Sequence, residues 1–434
     1  MKIPTWASTV CRTLSRGLAT GLFCTGVLSH VPADAASVPG EILVKLRSSD
    51  AITALLTRYD LTLKNRFGAR PIFRLGAGPL ADVQATLTAL RLEPAVLMAE
   101  ENAIHGSPEA RSNLVWAIGT PEQYQQQWAQ AALHLSDAQR ISTGKGIRVA
   151  VLDTGVDAQH PLLAGKLLPG YDFVDGGLDP SEVGTPSDAG FGHGTHVAGI
   201  ILTAAPDARI MPLRVLDAQG MGNTWVLAEA LLFAVDPDGN PATDDGADII
   251  NLSLGGPTRT RILQSVARLA NCNFNPIDAG DDVNDSGYNG DKDRCLGSRG
   301  ATIVAAAGNG GSMAREYPAA EGVAGLAAVA ASGQHNRLAK FSNRGEWIDL
   351  AAPGDGITSS LPGGGYATWG GTSMATPWVS GAAALLMANE PLLSPKDIVQ
   401  RLVRSASPLC GSSLAQLDPL AALLNTGPAG TSCP

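Results

Sequence analysis

The chain has 434 residues, 44% of them hydrophobic and 16% charged, with 50 glycines and 28 prolines. These proportions exclude a disordered chain, and the length points to two or three structural units. The formal net charge is −9, and residues 107–434 carry 20 Lys/Arg against 32 Asp/Glu, which argues against nucleic acid as a partner.

The first 35 residues read as an export signal. Lys2, Arg12 and Arg16 precede the apolar run LATGLFCTGVL (18–28), and Ala33-Asp34-Ala35 offers a cleavage pattern before Ala36. The other reading is an amphipathic helix belonging to the fold. Nothing in the sequence is long and apolar enough to span a bilayer once the signal is removed. Secretion, to periplasm or medium, is therefore expected. Cys11 and Cys24 would leave with the signal. The remaining Cys272, Cys295, Cys410 and Cys433 suit an oxidising compartment, and proximity favours the pairs 272–295 and 410–433 among three pairings.

Residues 36–106 read as a small α+β unit. VPGEILVKL (38–46), PIFRL and AVLMAE are strand-like, and 51–59 and 80–92 are short amphipathic helices. A polar, Gln-rich stretch follows, so 107–145 is expected to be a linker and lead-in to a larger unit, 146–434. There the pattern changes. IRVAVLD, ARIMPLRVLD, ADIINLSLG, ATIVAAAGN, LAAVAAS and WIDLAAPG are apolar runs of strand length, separated by helical stretches such as THVAGIILTAA, TWVLAEALLFAV and ILQSVARLA. This alternation predicts an α/β fold with a mostly parallel sheet and helices on both faces. Ligands in such folds bind beyond the carboxyl ends of the strands.

Polar residues at those ends carry the chemistry. Asp153 closes the run VAVLD, where it serves either as a turn cap or as a functional carboxylate. His193, in FGHGTHVAGI, stands at a helix entrance. His196 follows one turn on and reads as a hydrogen-bonded structural residue, since no H-E-x-x-H zinc pattern occurs. Asn309 ends ATIVAAAGN. Ser373, in GGTSMATPWVSG, opens an apolar helix, either as its cap or as a nucleophile. Aspartate, histidine and serine supply what acyl transfer needs: an orienting carboxylate, a base and a nucleophile. A side-chain amide and a helix-terminal N–H supply oxyanion donors.

Together DTGVD, GHGTHVAG, INLSLGG, AAAGN and GGTSMATP, in that order, resemble the signature blocks of subtilisin-like serine proteases (subtilases, peptidase family S8). The resemblance covers roughly 146–425 and implies a three-layer α/β/α fold and a serine endopeptidase that works through an acyl-enzyme. It implies Asp153, His193 and Ser373 as the triad and Asn309 as an oxyanion donor. Ser253-Leu254-Gly255-Gly256 resembles one wall of the S1 pocket, and Gly220-Met221-Gly222 resembles the edge that pairs with extended substrate. The 36–106 unit resembles the family's propeptide, its own chain's inhibitor and folding aid, cut off somewhere between His105 and about Gly119; the other reading is a permanent accessory domain. Glu316, before Tyr317-Pro318, falls where the family places the floor of S1. There it would favour Lys or Arg at P1, unless Arg315 or solvent takes its charge, and would make Arg111 a self-cleavage site.

No cofactor is expected for the chemistry. The family's usual calcium loop after the catalytic histidine is missing, but two acidic loops are candidates for structural calcium. They are 236–248, and 282–293 with Asp282, Asn284, Ser286, Gly287 and Asp293 spaced like an EF-hand loop, although it ends on Asp where Glu is usual and also reads as a solvated, disulfide-bound loop. Protein or peptide substrates are the expected partners. The alternatives are a non-catalytic, protein-binding pseudoprotease and a protease dedicated to one partner.

Overall fold

The computed structural model describes residues 37–68, 70–110, 117–240, 242–272, 295, 299–428 and 433. The export signal, Arg111 and the loop 282–293 lie outside the described residues. The described residues fall within one compact unit.

Its N-terminal part is an antiparallel sheet. Ser37–Leu46 lies between Ile72–Ala77 and Val96–Gly106, and Leu61–Arg66 sits on the outer edge. That outer strand is not apparent in the sequence, because LTLKNR exposes five of its six residues and carries no apolar alternation. The central strand alternates as period-2 geometry demands. Ile42, Val44 and Leu46 pack with Leu55, Leu87 and Leu90 of the helices Ile52–Arg58 and Val83–Leu90. Leu43 points the other way, and with Phe67, Ile72 and Met98 it joins the core of the larger part. The inner strands of the small sheet are thus covered on both faces.

The larger part is built on parallel strands in the spatial order Leu350–Pro353, Leu326–Gly333, Thr302–Ala306, Ile249–Leu252, Arg148–Asp153, Arg209–Arg214 and Tyr171–Asp172. Their side chains alternate between two cores. Val149, Val151, Ile249, Val304 and Val329 face the helices His193–Ala204 and Thr372–Asn389. Ala150, Leu152, Ile250, Leu252 and Ile303 face Thr224–Val235 and Arg261–Ala270. Cover on both sides explains why these strands read as unbroken apolar runs. The chain leaves Arg148–Asp153 for Arg209–Arg214 on one side and returns to Ile249–Leu252 on the other. That reversal opens a crevice at the carboxyl end of Arg148–Asp153.

The expected lead-in is packed from Ala117 on. Gly119 N–H donates to Tyr366 O at 2.8 Å, and Ala129, Leu133, Leu135 and Ala138 sit in the main core. Cys272–Cys295 and Cys410–Cys433 are disulfide-bonded, the pairing that proximity favoured.

Candidate active site

Asp153 is the last residue of its strand and is fully buried. Its Oδ1 accepts from Thr154 N–H at 2.8 Å and from His193 Nδ1–H at 2.7 Å. His193 is the first residue of its helix. Gly192, in the left-handed region at φ 80°, turns the chain into that helix, and a side chain there would strike Leu361 and Pro362. Trp369 lies alongside the His193 ring and stacks on His196 with centroids 4.5 Å apart. His196 Nε2 bonds Ala367 O at 3.0 Å, and burial pushes its pKa down to about 3, so it is a neutral structural ring.

Ser373 is the second residue of Thr372–Asn389 and does not cap it; the cap position is Gly371 and has no side-chain bond. Ser373 Oγ lies 3.1 Å from Ser253 O, and its own carbonyl accepts from Ser253 Oγ at 2.9 Å. Asn309 stands across from it. The amide's direction is set by Thr372, whose N–H and Oγ1–H both donate to Asn309 Oδ1 at 2.9 Å. This leaves Asn309 Nδ2 facing the centre.

What sits there is a residue the motifs gave no sign of, Glu109. Its Oε2 accepts from Ser373 Oγ at 2.5 Å and from His193 Nε2 at 3.1 Å, and its Oε1 accepts from Asn309 Nδ2 at 2.8 Å. Burial works against the charge on His193. Its bonds to Asp153 and Glu109 outweigh that and push its pKa up to about 10. Burial likewise opposes ionisation of Glu109, but His193, Ser373 and Asn309 together hold its carboxyl below the ordinary range. A second carboxyl, Glu182, lies behind the centre. It accepts from Thr195 Oγ1 at 2.8 Å, and burial raises its pKa to about 7.

The remaining sequence-expected residues line the approach. Met221–Asn223 pairs antiparallel with the end of Val96–Gly106, so that His105 faces Gly222 and Gly106 faces Met221. On the other side Gly106 and Gly255 exchange both backbone bonds at 2.9 Å, and Ser107 N–H donates to Gly220 O at 3.0 Å. The strand therefore runs between the two expected walls. Ser253 and Leu254 are buried beneath it, and Gly256 exchanges backbone bonds with Tyr317. Glu316 lies against Gly255 and Gly308, where added Cβ atoms would meet its Oε2 at 3.6 Å and its Cγ at 2.6 Å. This puts it beside Gly255, on the expected wall.

The strand Val96–Gly106 also reaches two helix ends. Glu100 accepts from the N–H groups of Arg261 and Ile262 at 2.9 and 3.0 Å, where Thr260 makes no capping bond. Asn102 Oδ1 accepts from Trp225 N–H at 3.0 Å. Both satisfy donors that a helix leaves unpaired at its first turn.

In the acidic loop 236–248, carboxylate oxygens of Asp236, Asp238 and Asp245 lie within 4.8 Å of one another. Burial and the charge of Asp238 raise the pKa of Asp245. The donor set suits a hard cation.

Residues 144–426 match the model of the subtilase family. The chain is 35% identical over 318 residues to a thermophilic serine proteinase of Bacillus sp. (strain AK1), covering 71% of this chain and 67% of that one. It is 33% identical over 385 residues to an alkaline protease of Alkalihalobacillus alcalophilus, covering 86% and 84%. Its fold matches that of fervidolysin from Fervidobacterium pennivorans, a keratinolytic enzyme related to subtilisin, with a TM-score of 0.68 and 22% identity. That match covers 92% of this chain and 62% of the other. Among the described residues no helix is long and apolar enough to cross a membrane. With its parallel sheet, its crevice at the strand reversal and a family match over most of its length, this chain belongs to the subtilases, a family of serine proteases.

Proposed function

We propose that the protein is a secreted serine endopeptidase made as a self-processed zymogen, with Asp153, His193 and Ser373 as its triad and Asn309 as an oxyanion donor. The observation that carries this reading is the convergence on one carboxyl group. His193 and Ser373 meet at one of its oxygens and Asn309 holds the other. A peptide carbonyl under attack needs the same partners. Asp153 fixes the tautomer of His193, which takes the proton from Ser373 Oγ as that oxygen bonds to the carbonyl carbon. Asn309 and the N–H of Ser373 stabilise the oxyanion. The peptide C–N bond breaks as His193 returns the proton to the departing amine, and water then releases the acyl group by the same steps.

The test is mass spectrometry of the secreted protein after treatment with a fluorophosphonate. Label on Ser373, with a new N-terminus between about residues 105 and 120 that Ser373→Ala lacks, is the expected result. Processed, folded protein with Ser373 unlabelled would return the pseudoprotease to contention.

In this reading residues 36–106 are the propeptide, docked through the strand Val96–Gly106 and the two helix ends. Removing the Glu100 cap by Glu100→Ala removes a contribution of about 0.5–2 kcal/mol. The cut but still associated propeptide should then leave about 2- to 30-fold faster, measured as the half-life of the complex on a sizing column; an unchanged half-life would remove Glu100 from the docking account.

At P1 we propose a preference for Lys or Arg through Glu316. Glu316→Gln should lower kcat/KM for Lys-P1 peptides about 10- to 100-fold while sparing Phe-P1 peptides. Equal turnover of both by the unmutated enzyme would dispose of the preference.

Calcium, if bound by Asp236, Asp238 and Asp245, would be structural, screening three carboxylates that are not part of the proposed triad. Chelation should then lower the melting temperature by several degrees through loss of linked binding, and a melting curve indifferent to chelator would end the idea.

A further inference from the structure

The centre of the uncut chain is filled by a side chain rather than by a peptide bond. Gly106 and Ser107 lie in the cleft as an extended strand, and the chain then turns, with Ala110 N–H donating to Ser107 O at 3.2 Å. The turn directs the Glu109 side chain inward, where 14% of it stays exposed. Its two oxygens take the hydrogen bonds of Ser373, His193 and Asn309. The fit depends on Gly371, since a Cβ there would come within 1.7 Å of Glu109 Oε1. A carboxylate in this position excludes any peptide carbonyl from Ser373 Oγ, because both would need the same volume and the same donors.

We infer that Glu109 is an internal carboxylate plug that keeps the folded, uncut chain latent, and that its withdrawal limits the rate of self-processing. This rests on the reading of Ser373, His193 and Asn309 given above. It goes further, because a propeptide strand in the cleft needs no such carboxylate. Charge-assisted bonds of this kind are among the strongest a protein makes, and three at once hold the side chain against exchange with water. The plug also disarms the base. An imidazole bonded to carboxylates on both nitrogens keeps its proton, and His193 as imidazolium cannot accept one from Ser373.

Among the described residues, the groups that bear on the Glu109 carboxyl include His193, Ser373 and Asn309 in contact; Asp153 stands behind His193 with Glu182 beyond it, and neutral His196 is beside the ring. His193 holds its proton up to about pH 10 in the plugged state and to a lower pH once the plug is out. The raised value means that the protonated ring favours the plug fully below the unplugged pKa, and that this advantage is lost as pH rises towards 10. Self-processing should therefore quicken from about neutral to alkaline pH more steeply than turnover by the mature enzyme.

The experiment follows full-length wild type, Glu109→Ala and Glu109→Gln by mass, scoring both self-cleavage and fluorophosphonate labelling of the uncut species against time and pH. Both variants should shorten the life of the uncut chain and speed its labelling about 10- to 100-fold, and should flatten the extra pH dependence. If Glu109→Ala does not fold, the near-isosteric Glu109→Gln decides. Uncut variants that label no faster than wild type, beside mature wild type that labels readily, would overturn the plug and leave the triad standing. Mature wild type unlabelled at Ser373 would instead overturn the triad reading beneath it.

Discussion

Asp153→Asn is expected to lower kcat about 10,000-fold with little change in KM or melting temperature. The carboxylate is buried and accepts two hydrogen bonds on Oδ1, from Thr154 N–H and from His193 Nδ1–H. An amide of the same shape can keep one of them through its oxygen. It also presents N–H donors, and His193 meets a donor only by moving its own proton to Nε2. In that tautomer Nε2 has no lone pair for the proton of Ser373. The loss should fall on kcat, because Asp153 touches no substrate. It should also stop the appearance of the new N-terminus on the time scale of the wild type. A loss under tenfold, in protein with wild-type melting, would show that His193 is not oriented by Asp153 during turnover.

Asn309→Ala should cost about 100- to 1,000-fold in kcat, again with KM nearly unchanged, because in the proposed mechanism the amide donates to charge that exists only during the reaction. Its direction is enforced. Thr372 holds Oδ1 by two bonds, so the amide cannot rotate to offer its oxygen to the centre. Thr372→Val should therefore reproduce part of the loss without touching Asn309, since it removes the Oγ1 bonds to Asn309 Oδ1 and Gly308 N–H but keeps the backbone one. Steady-state kinetics on one peptide substrate separate the cases. If Asn309→Ala raised KM alone, Asn309 would be a binding contact and not an oxyanion donor.

Much of the architecture is legible in the sequence for definite reasons. Strands covered on both faces must be apolar throughout, so VAVL, DIINL and TIVAA stand out from their polar surroundings. Polar residues ending such runs are conspicuous, and Asp153 and Asn309 are read on that ground. The outer strand Leu61–Arg66 leaves no trace, because an exposed edge places no demand on side-chain polarity. Thr372 is hidden differently. It is one residue in a helix start, and its role appears only when Asn309, 63 positions away, lies against it.

The sequence by itself determined the class of fold, the family and the residues at the strand and helix ends, because each follows from local pattern: apolar runs, glycines at tight turns, motif blocks in a given order. It also favoured the cysteine pairs, by proximity alone. Only the tertiary structure decided what occupies the centre. Glu109 lies in a polar stretch with no periodicity, 84 residues from His193 and 264 from Ser373, and no local rule singles it out from other surface glutamates. Its place is set by long-range geometry. The sheet of the N-terminal part carries its last strand between Gly220–Gly222 and Gly255, and the turn after Ser107 aims the next carboxylate at the donors gathered there. Hydrogen bonds between groups so far apart in sequence leave no periodic signature, because the chain between them is free to vary as long as the two ends meet.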